Sequence, residues 1–209
     1  EGIKLLSYGA SKTGKTRLVC TFPKPCLLIG TEDGTKSVST GRKEKYRTKA
    51  GNLVYALEVA GKPTGVDFIH LRKSSEIEEL VGIIVDNGYV SSGLDNGGGL
   101  QDTILKEVLG LDEIPIQKSW GLTDRSTWGT VGNQVKEQFR KLLDLADRYG
   151  INVVVVAHER SFNTDDDAKS DLIFPTVGAA LTPSVAGWLN GACDYICQTY
   201  KRAQTKKVK

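Results

Sequence analysis

Apolar residues recur along the chain in two patterns, short unbroken runs and a wider helical spacing. The runs at 26–29 and 153–156 are typical of strands buried on both faces. The spacing of Val131, Val135 and Phe139 predicts a helix that ends at Gly150. The predicted strands are 3–8, 26–29, 66–71, 151–157 and 195–200, and the predicted helices are 75–87, 100–109, 131–150 and one beginning at Pro183. This alternation predicts an α/β fold, with a mostly parallel central sheet flanked by helices.

Local signals support two of the helix starts. Ser75 and Glu78 have the spacing of a capping box, in which each side chain bonds a backbone N–H of the other residue. Thr182 precedes Pro183, and proline is favoured at the first position of a helix. Residues 35–64 are polar, basic and weakly periodic, and we interpret them as a basic excursion with a short helix over 53–59.

Composition is that of an ordinary globular domain, but the charge is unevenly placed. The chain has 209 residues, 39% hydrophobic and 25% charged, and a net charge of +3. We expect one domain over 1–200, followed by a truncated basic tail over 201–209. No apolar stretch approaches the roughly 20 residues of a membrane span, so no membrane partner is predicted. The four cysteines lack the spacing of a zinc site, and we expect free thiols in a cytoplasmic protein.

The strongest chemical signal is the match of residues 9–16 to G-x-x-x-x-G-K-[ST], the phosphate-binding loop pattern. A predicted strand precedes this loop and a short helix follows it, as the motif requires. Lys15 would reach the β- and γ-phosphates, and the Thr16 hydroxyl would bind Mg²⁺. The predicted cofactor-binding residues are Gly9, Ala10, Ser11, Lys12, Thr13, Gly14, Lys15, Thr16 and Arg17.

Three further candidates follow predicted strands, at the sheet edge where open α/β sheets bind ligands. Glu32 follows the strand over 26–29 and is a candidate to activate the attacking water. Asp95 is the candidate magnesium ligand, although Ser91, Ser92 and Gly93 interrupt its strand. His158 follows the strand over 151–157 and would sense the γ-phosphate. An alternative makes that strand the magnesium strand, with Glu159 as its acid.

Residues 110–128 are predicted to form a long loop that contains two tryptophans and two cations. Lys118, Trp120 and Arg125 could neutralise and stack on single-stranded nucleic acid. Tryptophans that anchor a long loop to the core are an equally good interpretation.

The order of these motifs resembles the RecA-like core of P-loop ATPases. Within that group the chain is most similar to the small RecA-like ATPases of bacteriophages, which act as single-strand annealing recombinases. The likeness covers nearly the whole chain. Besides the phosphate loop, it is carried by residues 22–25 (Phe-Pro-Lys-Pro), the turn over 30–34, residues 100–109, the Trp120 loop and the closing helix and strand.

The resemblance implies binding and hydrolysis of ATP with Mg²⁺, single-stranded DNA as partner, and assembly into a ring or filament. It also implies DNA-binding loops at 110–128 and 159–178, where Arg160 and Lys169 would meet phosphates despite the acids over 165–167. Single-strand DNA-binding protein is a further expected partner, and a phage-encoded protein would act in the bacterial host cytoplasm.

Two other functions fit the same phosphate loop. A small-molecule or nucleoside kinase would use Glu32 or Asp33 to bind an acceptor hydroxyl. An assembly or loader protein would hydrolyse ATP without recombining DNA. Phosphate release stimulated by single-stranded DNA separates the recombinase hypothesis from both.

Overall fold

The structure is a computed structural model, and it describes residues 1–112, 125–161 and 177–201. The strands are β1 (Lys4–Gly9), β2 (Cys26–Gly30), β3 (Gly41–Arg47), β4 (Leu53–Val59), β5 (Lys62–His70), β6 (Ser91–Asp95), β7 (Asn152–Ser161), β8 (Val177–Ala179) and β9 (Tyr195–Thr199). The helices are α1 (Lys15–Val19), α2 (Glu76–Asp86), α3 (Gly97–Leu109), α4 (Arg125–Tyr149) and α5 (Pro183–Ala192), with a 3-10 turn at Thr35–Ser37.

The nine strands of the described residues form one mostly parallel sheet, which confirms the predicted α/β fold. Its order is β3-β4-β5-β2-β6-β7-β1-β9, and β8 pairs with the end of β7. The pairings of β5 with β2, β2 with β6, β6 with β7, β7 with β1 and β1 with β9 are parallel. The carboxyl ends of these strands therefore lie along one edge of the sheet.

The side chains of β7 belong to the core on both faces of the sheet, because successive side chains of a strand point to opposite faces. Val153 and Val155 belong to the large cluster beneath α2, α3, α4 and α5. Val154 and Val156 belong to a smaller cluster with Val19 of α1. The unbroken valine run is therefore explained by burial on both faces.

The small residues of β6 lie where α1 packs directly on the sheet. A Cβ atom added to Gly93 would come within 2.2 Å of Cγ1 of Val19, which is fully buried. Ser91 and Ser92 are also buried. The glycine that interrupts this strand is thus required by the close packing of α1, which carries Lys15 and Thr16.

Gly93→Ala is expected to destabilise the fold by about 1–3 kcal/mol, because the stiff Val19 side chain leaves no room for a methyl group. The matched control is Gly82→Ala in α2, where a Cβ would meet no atom within 4 Å. The free energy of unfolding of that control should increase by about 0.5–1 kcal/mol. Chemical denaturation measures both, and equal stability of the two variants would contradict the close packing of α1 on β6.

The prediction for residues 35–64 was wrong in its secondary structure. The segment forms β3 and β4, which pair with each other and with β5 in an antiparallel arrangement. Ala60 and Gly61 both have positive φ, of 51° and 72°, as a two-residue hairpin turn requires. The turn and the pairing to β5 hold 53–59 as a strand, although its apolar spacing also suits a helix.

Three other boundaries and two predicted capping bonds differ from the sequence-based prediction. Helix α3 begins at Gly97, three residues before the predicted start at 100. Ser75 makes no side-chain capping bond, and Thr182 makes none either, although Pro183 is at the first helical position as predicted. Residues 125–128 belong to α4, and 159–161 belong to β7, so both candidate DNA loops are shorter than predicted. No helix in the described part of the chain is both long enough and apolar enough to cross a membrane.

Candidate functional site

The loop between β1 and α1 is shaped by two residues with positive φ. Lys12 has φ of 62°, and Gly14, which precedes the first residue of α1, has φ of 96°. The Thr13 hydroxyl donates to the carbonyl of Ala10 at 2.8 Å and lies 2.7 Å from the Thr199 hydroxyl at the end of β9. The loop is therefore held to the sheet by its own side chains.

Lys15 folds back over the loop that precedes it. Its Nζ donates to the carbonyl oxygens of Gly9 at 2.8 Å and Ala10 at 2.6 Å, and the residue is only 6% exposed. Burial lowers the pKa of Lys15 below its ordinary value, whereas the negative charges of Asp95 and Glu159 oppose this. The loop thus holds a largely buried cation over oxygen acceptors.

Thr16 and Asp95 meet across the α1–β6 contact. The Thr16 hydroxyl donates to Oδ2 of Asp95 at 2.5 Å. Burial raises the pKa of Asp95, against the Thr16 hydrogen bond and the charges of Lys15 and His158, and nearby Glu32 adds to the rise. The site therefore brings a hydroxyl and a carboxylate together beside the lysine.

Two residues that the sequence did not single out connect Asp95 to Glu32. Asn96 caps α3 by accepting from the Gly99 N–H at 2.7 Å, and its Nδ2 donates to Oε1 of Glu32 at 3.5 Å. The Thr31 hydroxyl accepts from the Asn96 N–H at 3.1 Å. An asparagine followed by a helix is a capping signal, but the glycines after it favour the interpretation as a turn.

One cleft of about 380 Å³ brings together the five residues predicted to carry the chemistry: Lys15, Thr16, Glu32, Asp95 and His158. Ser11, Lys12, Gly14, Arg17 and Asn96 also line it. The sheet register explains the meeting, because Gly9 lies beside His158 and Gly30 beside Asp95. The cleft therefore forms where the parallel strands β2, β6, β7 and β1 end.

Glu159, the alternative metal acid, is near enough to Lys15 to affect its charge but does not line the loop cleft. It belongs to the extended part of β7, pairs with Ala179 of β8, and its carboxylate accepts from Gln198 at 3.4 Å. The Thr16 hydroxyl bonds Asp95 instead. The geometry thus supports Asp95 over Glu159 as the acid beside the loop.

The donor set at Thr16 and Asp95 fits a magnesium ion bound with a nucleotide. Within the described ranges, no group of three or more His, Cys, Asp and Glu side chains could hold a metal by itself. Mg²⁺ commonly takes one or two protein oxygens, with phosphates and water completing its shell. A hydroxyl and a carboxylate beside a phosphate loop match that requirement.

Comparison with known proteins decides the family. The AAA domain family matches residues 1–209, which is the whole chain. The chain belongs to the AAA domain family. It is accordingly a P-loop ATPase of the AAA type, for which nucleotide binding and usually Mg²⁺ are expected. No curated protein matches the chain.

The AAA domain has a further cleft, of about 770 Å³, that contains two of the predicted nucleic-acid residues. Arg125 and Arg160 line it together with Trp128 and Thr182. The other three, Lys118, Trp120 and Lys169, lie outside the described residues, as do 165–167 and the tail from 202 onward.

This cleft is connected to the loop cleft by hydrogen bonds. The Ala180 N–H, at its wall, donates to the carbonyl of His158 at 2.7 Å. Gln101 of α3 accepts from the Thr182 N–H at 2.9 Å. His158 therefore lines the loop cleft and bonds the wall of the second cleft, and α3, with its cap, contributes Asn96 to the first and Gln101 to the second.

Proposed function

We propose that this AAA domain hydrolyses ATP with Mg²⁺ and couples hydrolysis to single-stranded DNA, as a RecA-like ATPase of phage-type recombination. The observation that carries the ATPase part is the contact of Thr16 with Asp95 at 2.5 Å, in the cleft that Lys15 and Glu32 also line. Family membership favours hydrolysis over phosphate transfer to a small acceptor, so it does not support the kinase hypothesis.

The loop would hold the triphosphate chiefly through Lys15. Its Nζ now donates to the carbonyls of Gly9 and Ala10. The β- and γ-phosphate oxygens would compete with these carbonyls for the N–H groups of Lys15. Arg17 and Ser37 line this cleft and also a neighbouring one of about 380 Å³, which offers room for the nucleoside.

Thr16 and Asp95 are the residues that would hold the metal, through the hydroxyl and carboxylate oxygens. When bound, Mg²⁺ would neutralise charge that develops on the phosphate oxygens during transfer. Asp95 must be deprotonated for this role, although burial favours its neutral form.

Glu32 would orient the attacking water. Its side chain is exposed to the cleft, and Asn96 donates to its Oε1 while capping α3. The Asn96 amide therefore directs the carboxylate toward the cleft, where a water could lie between it and the γ-phosphate.

Coupling to DNA would run through His158. Its side chain lines the loop cleft, and its carbonyl accepts from Ala180 at the wall of the cleft that contains Arg125 and Arg160. Loss of the γ-phosphate would shift His158 and, through this hydrogen bond, the DNA-facing wall.

Assembly into a ring or filament is supported by the edge of the sheet. Strand β9 is the last in the order, and Tyr195, Ile196 and Tyr200 on or beside it are 60%, 48% and 75% exposed. Large apolar side chains gathered at a sheet edge are typical of an interaction surface. Single-strand DNA-binding protein as an additional partner rests on the resemblance alone.

The test is ATP hydrolysis with and without single-stranded DNA. We expect DNA to stimulate the wild type, and Glu32→Gln to reduce the stimulated rate by about a hundredfold while ATP still binds. The matched control is Glu137→Gln, an exposed residue of α4, which should retain the wild-type rate. A wild-type rate that ignores DNA would refute the coupling and favour the loader hypothesis, and unchanged hydrolysis by Glu32→Gln would refute the role of Glu32.

A further inference from the structure

Strands β3, β4 and β5, at the opposite end of the strand order from β1, carry a small cleft dominated by cationic groups. Its volume is about 320 Å³, and its lining includes Arg42, Arg47, His70 and Arg72. Asp33 is its acidic member. None of the roles proposed above uses these four basic residues.

A β-bulge explains why two of the arginines share the cleft. Side chains five residues apart on a regular strand point to opposite faces, which would separate Arg42 from Arg47. In β3 the register shifts between Glu44 and Tyr46, so the extra residue Lys45 restores Arg47 to the face of Arg42. His70 is the last residue of β5, which runs parallel to β3 two strands away, and Arg72 lies two residues beyond it.

Aromatic rings form the floor of the same cleft. Tyr55 of β4 pairs with Phe68 of β5, and both line the cleft. The Arg42 guanidinium lies 5.2 Å from the centre of the Phe68 ring. Tyr55 is half-buried, so part of its ring faces the cleft.

The cations of this region differ in what they already bind. Lys45 pairs with the buried Asp67 at 2.6 Å, and Arg42 pairs with Asp33. The Arg47 side chain donates to the carbonyl of Gly51 at 2.6 Å. In the described part of the chain, no ion pair involves Arg47 or Arg72. These two side chains leave positive charge uncompensated at the mouth of the cleft.

We propose that this cleft, with Arg47 and Arg72 at its mouth and Tyr55 on its floor, is a second binding site for single-stranded DNA. The arginines would bind phosphates, and the tyrosine would contact a base. Cations beside a partly exposed ring suit a strand with unpaired bases better than they suit an acidic peptide. The choice of DNA as the ligand rests on the proposed function.

The site is also next to the catalytic turn. Asp33 lines this cleft and Glu32 lines the loop cleft, so consecutive residues face the two sites. Thr35 and Arg42 both donate to Asp33. A phosphate that binds Arg42 would compete with Asp33, and the turn that holds Glu32 would respond.

The test compares two double variants with equal loss of charge. Arg47→Ala/Arg72→Ala removes the two cationic side chains at the mouth of the cleft. Lys43→Ala/Lys62→Ala is the control, because both lysines are exposed and neither lines this cleft. Binding of a fluorescein-labelled oligo(dT) to the full chain is measured by anisotropy across a salt series. Binding of a fluorescent ATP analogue checks that each variant is folded.

We expect the arginine variant to bind oligo(dT) about tenfold or more weakly, with a salt slope smaller by about 1.4, whereas ATP analogue binding is unchanged. The lysine control should retain most of its affinity for DNA. Equal losses in the two variants would overturn the proposal, and so would competition by poly-glutamate that matches competition by DNA, which would indicate an acidic protein partner.

The outcomes separate this inference from the proposed function. Wild-type protein that binds no oligo(dT) would refute both. Wild-type binding that the arginine variant fully retains would refute only the second site and leave DNA at the cleft of Arg125 and Arg160. Asp33→Asn adds a readout of the coupling: we expect it to retain oligo(dT) binding but to lose DNA stimulation of hydrolysis.

Discussion

Lys15→Ala is expected to reduce ATP hydrolysis by at least about a thousandfold and to weaken ATP binding. The ammonium group is the cation that the loop itself holds over the phosphate position, with Nζ 2.8 Å and 2.6 Å from the carbonyls of Gly9 and Ala10. Removal would leave the charge that develops on the γ-phosphate without its nearest protein counter-charge.

Lys15→Arg tests whether geometry or charge is required. The residue is only 6% exposed and fits between two backbone carbonyls, so the broader guanidinium should not restore hydrolysis. Phosphate release and binding of a fluorescent ATP analogue measure the two effects. Recovery by arginine to within about tenfold would show that a positive charge suffices, against the geometric interpretation.

We expect the loss of activity in Lys15→Ala to occur without loss of the fold. Burial lowers the pKa of Lys15, which means that the folded state disfavours the charged form. Replacement by alanine removes a buried cation, and the thermal midpoint of unfolding is expected to stay the same or to rise. A large fall in that midpoint would instead assign the loss of activity to misfolding.

The residues of the loop cleft could be predicted from sequence because their positions depend on one topological rule. Strands β1, β2, β6 and β7 are parallel, so residues that end them lie at one edge. Glu32 follows β2, Asp95 is the last residue of β6, and His158 is where the parallel pairing of β7 with β1 ends. The structure places all three in the cleft with Lys15. Their assigned roles remain predictions.

What the sequence missed depends on contacts distant along the chain. The strand over 53–59 has apolar residues at a spacing that also suits a helix, and only its pairing with β5 decides. Gly93 weakened the strand prediction, yet its role is visible only where Val19 of α1 contacts it. The meeting of Arg42 and Arg47 requires a β-bulge, which no short pattern in the segment indicates.

Asp95→Asn is expected to reduce Mg²⁺-dependent ATP hydrolysis by about a hundredfold or more. The amide keeps an oxygen that can accept from Thr16 but removes the negative charge that the metal requires. Hydrolysis measured against Mg²⁺ concentration should show a weaker metal dependence. A variant with wild-type activity would refute Asp95 as the metal ligand and favour Glu159, the alternative acid.

The same substitution should stabilise the nucleotide-free protein near neutral pH, because burial raises the pKa of Asp95 and the folded state pays a desolvation cost for its charge. Stability from the neutral acid is present below its unfolded pKa and is lost as pH rises through the folded value, so the advantage of asparagine should shrink as pH falls.

Asp33→Asn is the matched control, and its effect should have the opposite sign. Burial alone would raise the pKa of Asp33, but Arg42 and Thr35 outweigh it and hold that pKa below its ordinary value. Its charge therefore stabilises the fold above the unfolded pKa and ceases to do so as pH falls through the folded value. Thermal unfolding across a pH series measures both variants. Opposite shifts near neutral pH would identify Asp95 as a carboxylate kept charged at the expense of stability, which is expected of a metal ligand and not of a structural ion pair.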